Sequence, residues 1–497
     1  MNISKSEFIR GIKCPKSLWL HKKGHVVKDP VDEELKARFA QGAEVGKHAQ
    51  KLFPHGKEIS FRRGDFSAMI RQTRKWIEEG QKVIFEAALA ARSGFAMADM
   101  LLATETGWNI YEVKSTTKVK DYHKYDLAFQ YYVFLNAGLS MEKAFLIHLN
   151  RDYVREGALD PGRLFIMEEI TDEVLGLQEY IKIRLEKFFK MLAGEIPKME
   201  IGPQCSKYFK CDYHSHCWKD MSRGSVFHLH GLSEKKKFEL FKNSIVKISD
   251  IQKPVTSGFV SSFRPNLVQS LQIMAEKTGR PQVNWDKIDK FVSEIEYPIY
   301  FLDFETFQEP IPRFDGQRPY MQMPFQYSLH VMHGPDELEH KEFLADEKED
   351  PRGQVIEHLL KDIGPKGSIL AYNKAFEKGI VRQLAEFDPG HKKELLAINE
   401  RLKDLLTPFK DGGYYMREFN GSFSLKSVVP ALFPDDHELN YQNLSIKNGG
   451  TASQVYARLH LEKDEVERQR IRKNLKSYCT LDTLTMVRIF QFLCQQC

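Results

Sequence analysis

WNIYEVKS, residues 108–115, decides how the first part of this 497-residue chain folds. Its aromatic and β-branched residues favour a strand. Side chains alternate along a strand, so Glu112 and Lys114 project to one face while Tyr111 and Val113 project to the other. The preceding apolar run FAMADMLLAT, residues 95–104, reads as a second strand, and a hairpin of this spacing brings Asp99 beside Glu112. Two carboxylates that close repel unless a cation lies between them, and hard oxygen ligands suit Mg²⁺ or Mn²⁺. Lys114 then has work in the same site, holding water or offsetting charge on a phosphate. The plainer reading is an exposed strand whose Glu and Lys form a minor surface pair.

Outward from this hairpin, KVIFEAAL (82–89) predicts another strand and carries Glu86. VDEELKARFAQGAEVGKHAQKLF (31–53) predicts an early helix bearing Gly42, Gly46 and His48, and DLAFQYYVFLNAG (126–138) a helix bearing Gln130. This order belongs to an α/β fold. Taken together, His48, Glu86, Asp99, Glu112-x-Lys114 and Gln130 resemble the RecB-like branch of the PD-(D/E)XK nucleases. The resemblance covers residues 1–222 and implies a restriction-endonuclease-like fold. It also implies phosphodiester hydrolysis with one or two metal ions held by His48, Asp99 and Glu112, assisted by Lys114, with Glu86 and Gln130 in the same site.

CPKSLWL places Cys14 early, and IGPQCSKYFKCDYHSHCWKD places Cys205, Cys211 and Cys217 at C-x5-C-x5-C. The seven cysteines are too few and too unevenly spread for a disulfide framework, and the late group suggests metal. Four thiolates suit zinc or an iron-sulfur cluster, and spacing alone does not separate the two. Paired C-x2-C knuckles, usual for zinc, are absent, and His214 or His216 offers an alternative zinc ligand. The one-plus-three arrangement resembles the iron-sulfur staple of RecB-like nucleases, among them CRISPR-associated exonucleases and the AddB subunit. In those families the late triplet is more often C-x2-C-x5-C, a pattern from which the first gap departs. The resemblance implies a structural 4Fe-4S cluster on Cys14, Cys205, Cys211 and Cys217. Cys479, Cys494 and Cys497 have no such grouping and read as plain thiols.

A third group of residues lies in the C-terminal part. YFLDFETF is apolar around Asp303 and Glu305, which share a strand face. Burying both is costly unless a metal compensates. AYNKAFEKGIVRQL carries Asn373 and Glu377 at a helix start, and LKSYCTLDTLTMVRIF puts Tyr478 and Asp482 four apart on one helix face. The ordered set Asp303-x-Glu305, Glu377 and Tyr478-x3-Asp482 resembles the DEDD exonucleases of the ribonuclease-H-like fold, in the subgroup with tyrosine in the third motif. Glu377 stands where that family usually has aspartate. As a whole, this part resembles a domain fused to RecB-like nucleases in bacteria, with GSFSLKSVVPALFP and MPFQYSLH fitting that likeness. The resemblance implies removal of nucleotides from a 3′ end, with two Mg²⁺ or Mn²⁺ ions on Asp303, Glu305, Glu377 and Asp482 and with Tyr478 orienting water.

The expected organisation is a nuclease domain over 1–222, a helical segment over 223–290 and an exonuclease-like domain over 291–497. The helical segment is either a plain connector or a small nucleic-acid-contacting element. Composition, at 42% hydrophobic and 12% aromatic, excludes a collagenous or disordered chain. No uncharged apolar run approaches the roughly 18 residues of a membrane span. The charged start lacks a signal-peptide pattern, so a soluble cytoplasmic protein without membrane contact is expected.

The net charge of +5 conceals a basic front and an acidic stretch over 301–350. The front suits a polyanion, and the metal-binding acids account for only part of the acidic stretch. The leading expectation is a metal-dependent deoxyribonuclease acting on DNA with single-stranded ends. A nucleic-acid-binding scaffold with one inactive nuclease fold, or an RNA-directed exonuclease, are the alternatives, and no base-reading motif separates DNA from RNA.

Overall fold

The computed structural model of the protein describes residues 2–62, 64–251 and 263–495. Cys497 lies outside the described residues. The chain divides into two units: Met1–Asp220 with Glu309–Met321, and Met221–Gln308 with Gln322–Cys497. Residues 223–290 therefore group with the C-terminal unit instead of standing apart, while 309–321 group with the N-terminal one. Among the described residues, no helix is long and apolar enough to cross a membrane.

The first unit is built on a seven-stranded mixed sheet. It opens with β1 (Ile3–Ser4), α1 (Lys5–Lys13), α2 (Pro15–Lys23) and α3 (Glu33–Gln50). Then follow β2 (Lys57–Glu58), α4 (Phe66–Glu78), β3 (Val83–Ala91), β4 (Gly94–Ala103), β5 (Trp108–Lys114), α5 (Asp121–Asn136), β6 (Met141–Leu149) and β7 (Phe165–Glu169). The sheet order is β2-β3-β4-β5-β6-β7, with β1 pairing β4. The three expected strands and the early helix are present, and α5 begins five residues before the expected start, at Asp121. β5 and β6 run parallel because the intervening α5 crosses over the sheet. That helix is buried along nearly its whole middle, Leu127–Phe134, against one sheet face.

In the second unit, α6 (Glu234–Lys242), α7 (Leu267–Thr278) and β8 (Gln282–Val283) precede a five-stranded sheet. Its strands are β9 (Ile299–Phe307), β10 (Met323–Gly334), β11 (Glu337–Leu344), β12 (Ile369–Ala371) and β13 (Leu402–Asp404), in the order β11-β10-β9-β12-β13. The first three are antiparallel, and β12 and β13 join in parallel. β9 is therefore central, and its run of buried aromatic and aliphatic residues is that of a strand covered on both faces.

The helical segment is tied into this unit by β8, which pairs with Tyr414–Tyr415, and by Gly224, whose N–H donates to Asn420 Oδ1 at 3.1 Å. The helices that matter for the site are α8 (Ala375–Phe387), α9 (Leu425–Leu432), α10 (Gly449–Leu459) and the long α11 (Glu465–Cys494). Both units are mixed α/β.

Candidate active sites

In the first unit the β3–β4 register places Phe85 opposite Met100 and Ala87 opposite Ala98, so Glu86 faces Asp99. The β4–β5 register places Met100 opposite Tyr111, so Asp99 in turn faces Glu112. Three carboxylates thus stand side by side across three neighbouring strands. All three line one cleft with Lys114, Lys5 and the Gly42–Gly46 face of α3. Glu86 takes a left-handed backbone, φ 55°, an uncommon state for a residue with a Cβ and a mark of local strain.

The hydrogen bonds are dense. Glu112 Oε1 accepts from Lys5 Nζ at 2.5 Å and Lys114 Nζ at 2.8 Å, while Gln130 Nε2 donates to Oε2 at 2.5 Å. Lys114 also pairs with Asp126 at 2.5 Å. Asp99 Oδ2 accepts from Val113 N at 2.6 Å.

Burial, then the neighbouring Asp99 and Glu112 charges, push the Glu86 carboxyl up to about 8. Burial and then Glu112 push Asp99 up to about 7. Burial also opposes ionised Glu112, but the Lys114 and Lys5 ammoniums outweigh it and hold this carboxyl well below its usual range. The site thus has one firmly charged carboxylate and two that ionise fully only with help from a cation.

His48 is not brought to this cleft. Residues on the cleft face of α3 follow helical spacing, with Phe39, Gly42, Ala43, Gly46, Lys47 and Gln50 lining it. His48 is two residues beyond Gly46, about 200° around the helix. Its Nδ1 lies 3.3 Å from Lys51 Nζ. The expected histidine ligand is therefore not among the residues lining the cleft.

Lys5 and Asp126 were not foreseen. Asp126 was within reach of the sequence, since it precedes Gln130 by four residues on one helix face. Lys5 was not, because it comes from the other end of the domain. It is the first residue of α1, whose start is fixed by a Ser4–Glu7 capping box.

In the second unit, Asp303, Glu305 and Asp482 each present a ligand atom, and these atoms all lie within 4.8 Å of one another. Burial, then Asp482 and Glu305, drive the Asp303 carboxyl far above its usual range, and burial raises Asp482 to about 6 against hydrogen bonds from Tyr441 and Tyr478. Glu377 in the first turn of α8 contributes to the field at Asp303 and Glu305 but stands outside the close trio. Its carboxyl is raised to about 8, chiefly by burial, and its Oε2 is buried with no hydrogen-bond partner. An orphaned buried carboxylate oxygen fits a cation ligand.

Tyr478 is buried one helix turn from Asp482, and desolvation followed by the Asp482 charge raises its phenol far out of the neutral range. Cys479, read as a plain thiol, is fully buried with Sγ 3.6 Å from Asp303 Oδ2. Three further neighbours escaped the sequence reading. They are Tyr441, which donates to Asp482, the exposed Lys426 of α9, whose charge favours ionised Glu305 and Asp482, and Gly449 at the start of α10 beside Glu305.

Cys14, Cys205, Cys211 and Cys217 line one cavity in the first unit, with Met199, Tyr213 and Trp218 among its other walls. Cys14 caps α2, accepting at Sγ from Ser17 N at 3.4 Å. The late triplet is anchored nearby by Arg10, which donates to Asp212 Oδ2 at 2.6 Å. His214 also lines the cavity and stacks on Trp218, whereas His216 does not line it. Among the described residues, no three of these sulfurs lie within 4.8 Å of one another.

Comparison with known proteins adds three likenesses. A family described as "Domain of unknown function (DUF2779)" matches residues 300–424, which include all of β9 but its first residue, and Glu377. The chain is 25% identical over 237 residues to "Uncharacterized protein UU173" of Ureaplasma parvum serovar 3. That match covers 44% of this chain and 34% of the relative, so the chain spans about a third of its length. A solved structure titled "Crystal structure of SSO0001" matches at 15% identity, covering 43% of this chain and 95% of that one, with a TM-score of 0.17.

Proposed function

We propose that the protein is a metal-dependent nuclease that hydrolyses phosphodiester bonds of DNA, with a restriction-endonuclease-like site in the first unit and a 3′–5′ exonuclease-like site of ribonuclease-H-like type in the second. The observation that carries this reading is the clustering, in both units, of buried and half-buried carboxylates from separate elements side by side. Such clusters are unfavourable without cations, and oxygen-only donor sets suit Mg²⁺ or Mn²⁺. Asp99 and Glu112, with Glu86 beside them, would hold the ion in the first site. Asp303, Glu305 and Asp482, with Glu377, would hold ions in the second. A divalent ion bound there lowers the pKa of water and stabilises a leaving oxygen.

The remaining work falls to the chain. Lys114, kept charged by Asp126 and Glu112, offsets charge on the attacked phosphate, and Gln130 orients Glu112. Tyr478 positions water through its hydroxyl and does not act as a free base, because its phenol is too weak an acid at neutral pH.

The four cysteines would hold an iron-sulfur cluster with a structural role. A tetrahedral zinc with Zn–S bonds of about 2.3 Å brings its sulfurs to about 3.8 Å from one another. The likeness of the one-plus-three spacing to the iron-sulfur staple, with all four cysteines lining one cavity, is what supports a cluster over zinc.

Protein purified anaerobically and assayed with Mg²⁺ or Mn²⁺ on 5′- and 3′-labelled DNA and RNA tests the reading. Lys114→Ala and Asp303→Ala should each remove a separate activity. Activity surviving the double change overturns both site assignments. The same assay separates this reading from an RNA-directed exonuclease and from a binding scaffold.

A further inference from the structure

Lys5 makes the first site different in kind from the second. Its ammonium shares Glu112 Oε1 with Lys114, at 2.5 Å and 2.8 Å. It approaches from α1, more than a hundred residues away in sequence, and its side chain remains 27% exposed in the cleft. The first site therefore contains four carboxylates, Glu86, Asp99, Glu112 and Asp126, against two ammoniums. Glu58 at the rim adds nothing to the count, because Lys47 pairs with it. With all four carboxyls ionised the excess is two negative charges, which one divalent cation cancels.

The second site contains Asp303, Glu305, Glu377 and Asp482, and among the described residues none of these four makes an ion pair within 4.0 Å. With all four ionised and the nearby Lys426 counted, its excess is three, more than one divalent ion cancels.

We infer that Lys5 is a positioning residue that acts as a fixed cation in the first site, holding Glu112 and limiting that site to a single divalent ion. This rests on the nuclease reading of the same cleft. An ammonium on a carboxylate oxygen keeps the carboxylate ionised and aimed, and it repels a second metal from the same place. Lys114 is left to face the phosphate. A buried carboxylate that loses one of its two ammoniums is left with uncompensated charge and attracts a metal cation more strongly.

The test uses the full chain carrying Asp303→Ala and Asp482→Ala, so that Mn²⁺ binding and DNA cleavage report the first site alone. The parent should bind one Mn²⁺ by calorimetry and electron paramagnetic resonance. Lys5→Met should bind Mn²⁺ about tenfold more tightly, or take a second ion, while cleavage at saturating Mn²⁺ falls roughly a hundredfold. Lys5→Arg, which keeps the charge, should bind Mn²⁺ like the parent and retain most cleavage.

Unchanged Mn²⁺ affinity, stoichiometry and cleavage in Lys5→Met overturns the inference, as does Lys5→Arg behaving like Lys5→Met. If Lys5→Met does not fold, judged by thermal melting, Lys5→Gln against Lys5→Arg makes the same comparison of charge. Lys114→Ala in this background distinguishes the two levels of the argument. Full cleavage without Lys114 removes the nuclease reading itself, whereas loss of cleavage there with a neutral Lys5→Met removes only the role of Lys5.

Discussion

Tyr441 donates its phenolic hydroxyl to Asp482 Oδ1 at 2.6 Å, and both residues are buried. The donor lies in the segment before α10 and the acceptor on α11, so the bond ties an irregular stretch to the long helix bearing two expected site residues. It also favours the ionised form of a carboxyl that burial lifts to about 6. Hydrogen bonds to charged groups contribute about 1.5–3 kcal/mol, so Tyr441→Phe should lower stability by that amount near neutral pH. Urea unfolding of the metal-free protein measures it. Midpoints that coincide for the two proteins would sink the assignment.

Much of the first site was legible because strand geometry is simple. A period of two fixes which residues share a face, and the short link between Ala103 and Trp108 fixes the register that places Asp99 against Glu112. His48 was misplaced because a helix has no such binary choice. Knowing that Gly46 and not His48 meets the cleft requires the packing angle of α3 on the sheet, which no local pattern carries. Lys5 and Tyr441 are long-range contributions for the same reason.

The middle segment could not be assigned from sequence because β8 and its partner are two residues each, too short to leave a periodic signal. Glu377 was found through its place in an ordered set, but its offset from the Asp303–Glu305–Asp482 trio depends on where β12 ends and α8 begins.

The pH dependence of stability has a definite sign. Glu86 and Asp99 titrate at about 8 and about 7 in the folded protein, above the ordinary 4.5 and 3.8. Between the ordinary and the raised values the folded state holds more protons than the unfolded one, so stability of the metal-free protein falls as pH rises through this window. A divalent ion that binds the ionised carboxylates opposes the fall. Adding Mg²⁺ should therefore raise the melting temperature more at about pH 8.5 than at about pH 6. An equal or larger gain at the lower pH contradicts the cation assignment.

Cys14→Ser separates cluster ligation from helix capping. Cys14 is the N-cap of α2, and serine is a good N-cap that can accept from Ser17 N in the same way. The helix itself should lose nothing by the change. A structural cluster, by contrast, loses one of its four thiolates. Anaerobically purified wild type should be brown, and Cys14→Ser should lose visible absorbance and iron content together with thermal stability. A colourless, zinc-loaded wild type removes the iron-sulfur proposal, and an unchanged melting temperature removes the structural role.

Gly449 opposes stability to metal binding in a way that isolates Glu305. It is the first residue of α10, and a Cβ built there lies 3.3 Å from Glu305 Oε2 and 3.5 Å from Oε1. Its backbone is ordinary for a helix, so alanine is conformationally acceptable and should stabilise the helix by up to about 1 kcal/mol. The added methyl nevertheless requires the Glu305 carboxylate to shift by a few tenths of an ångström. In metal-free protein that shift is tolerable, because a raised carboxyl has no fixed ligand to hold. With cations bound, Glu305 must keep its distance to Asp303 and Asp482.

Gly449→Ala should therefore leave metal-free stability equal or slightly higher while weakening Mn²⁺ binding at the second site, and Gly449→Val should weaken it further. Calorimetric titration of protein carrying Lys114→Ala and Asp99→Ala reads this directly. Mn²⁺ affinity indifferent to side-chain size at position 449 would show that Glu305 does not hold the ion.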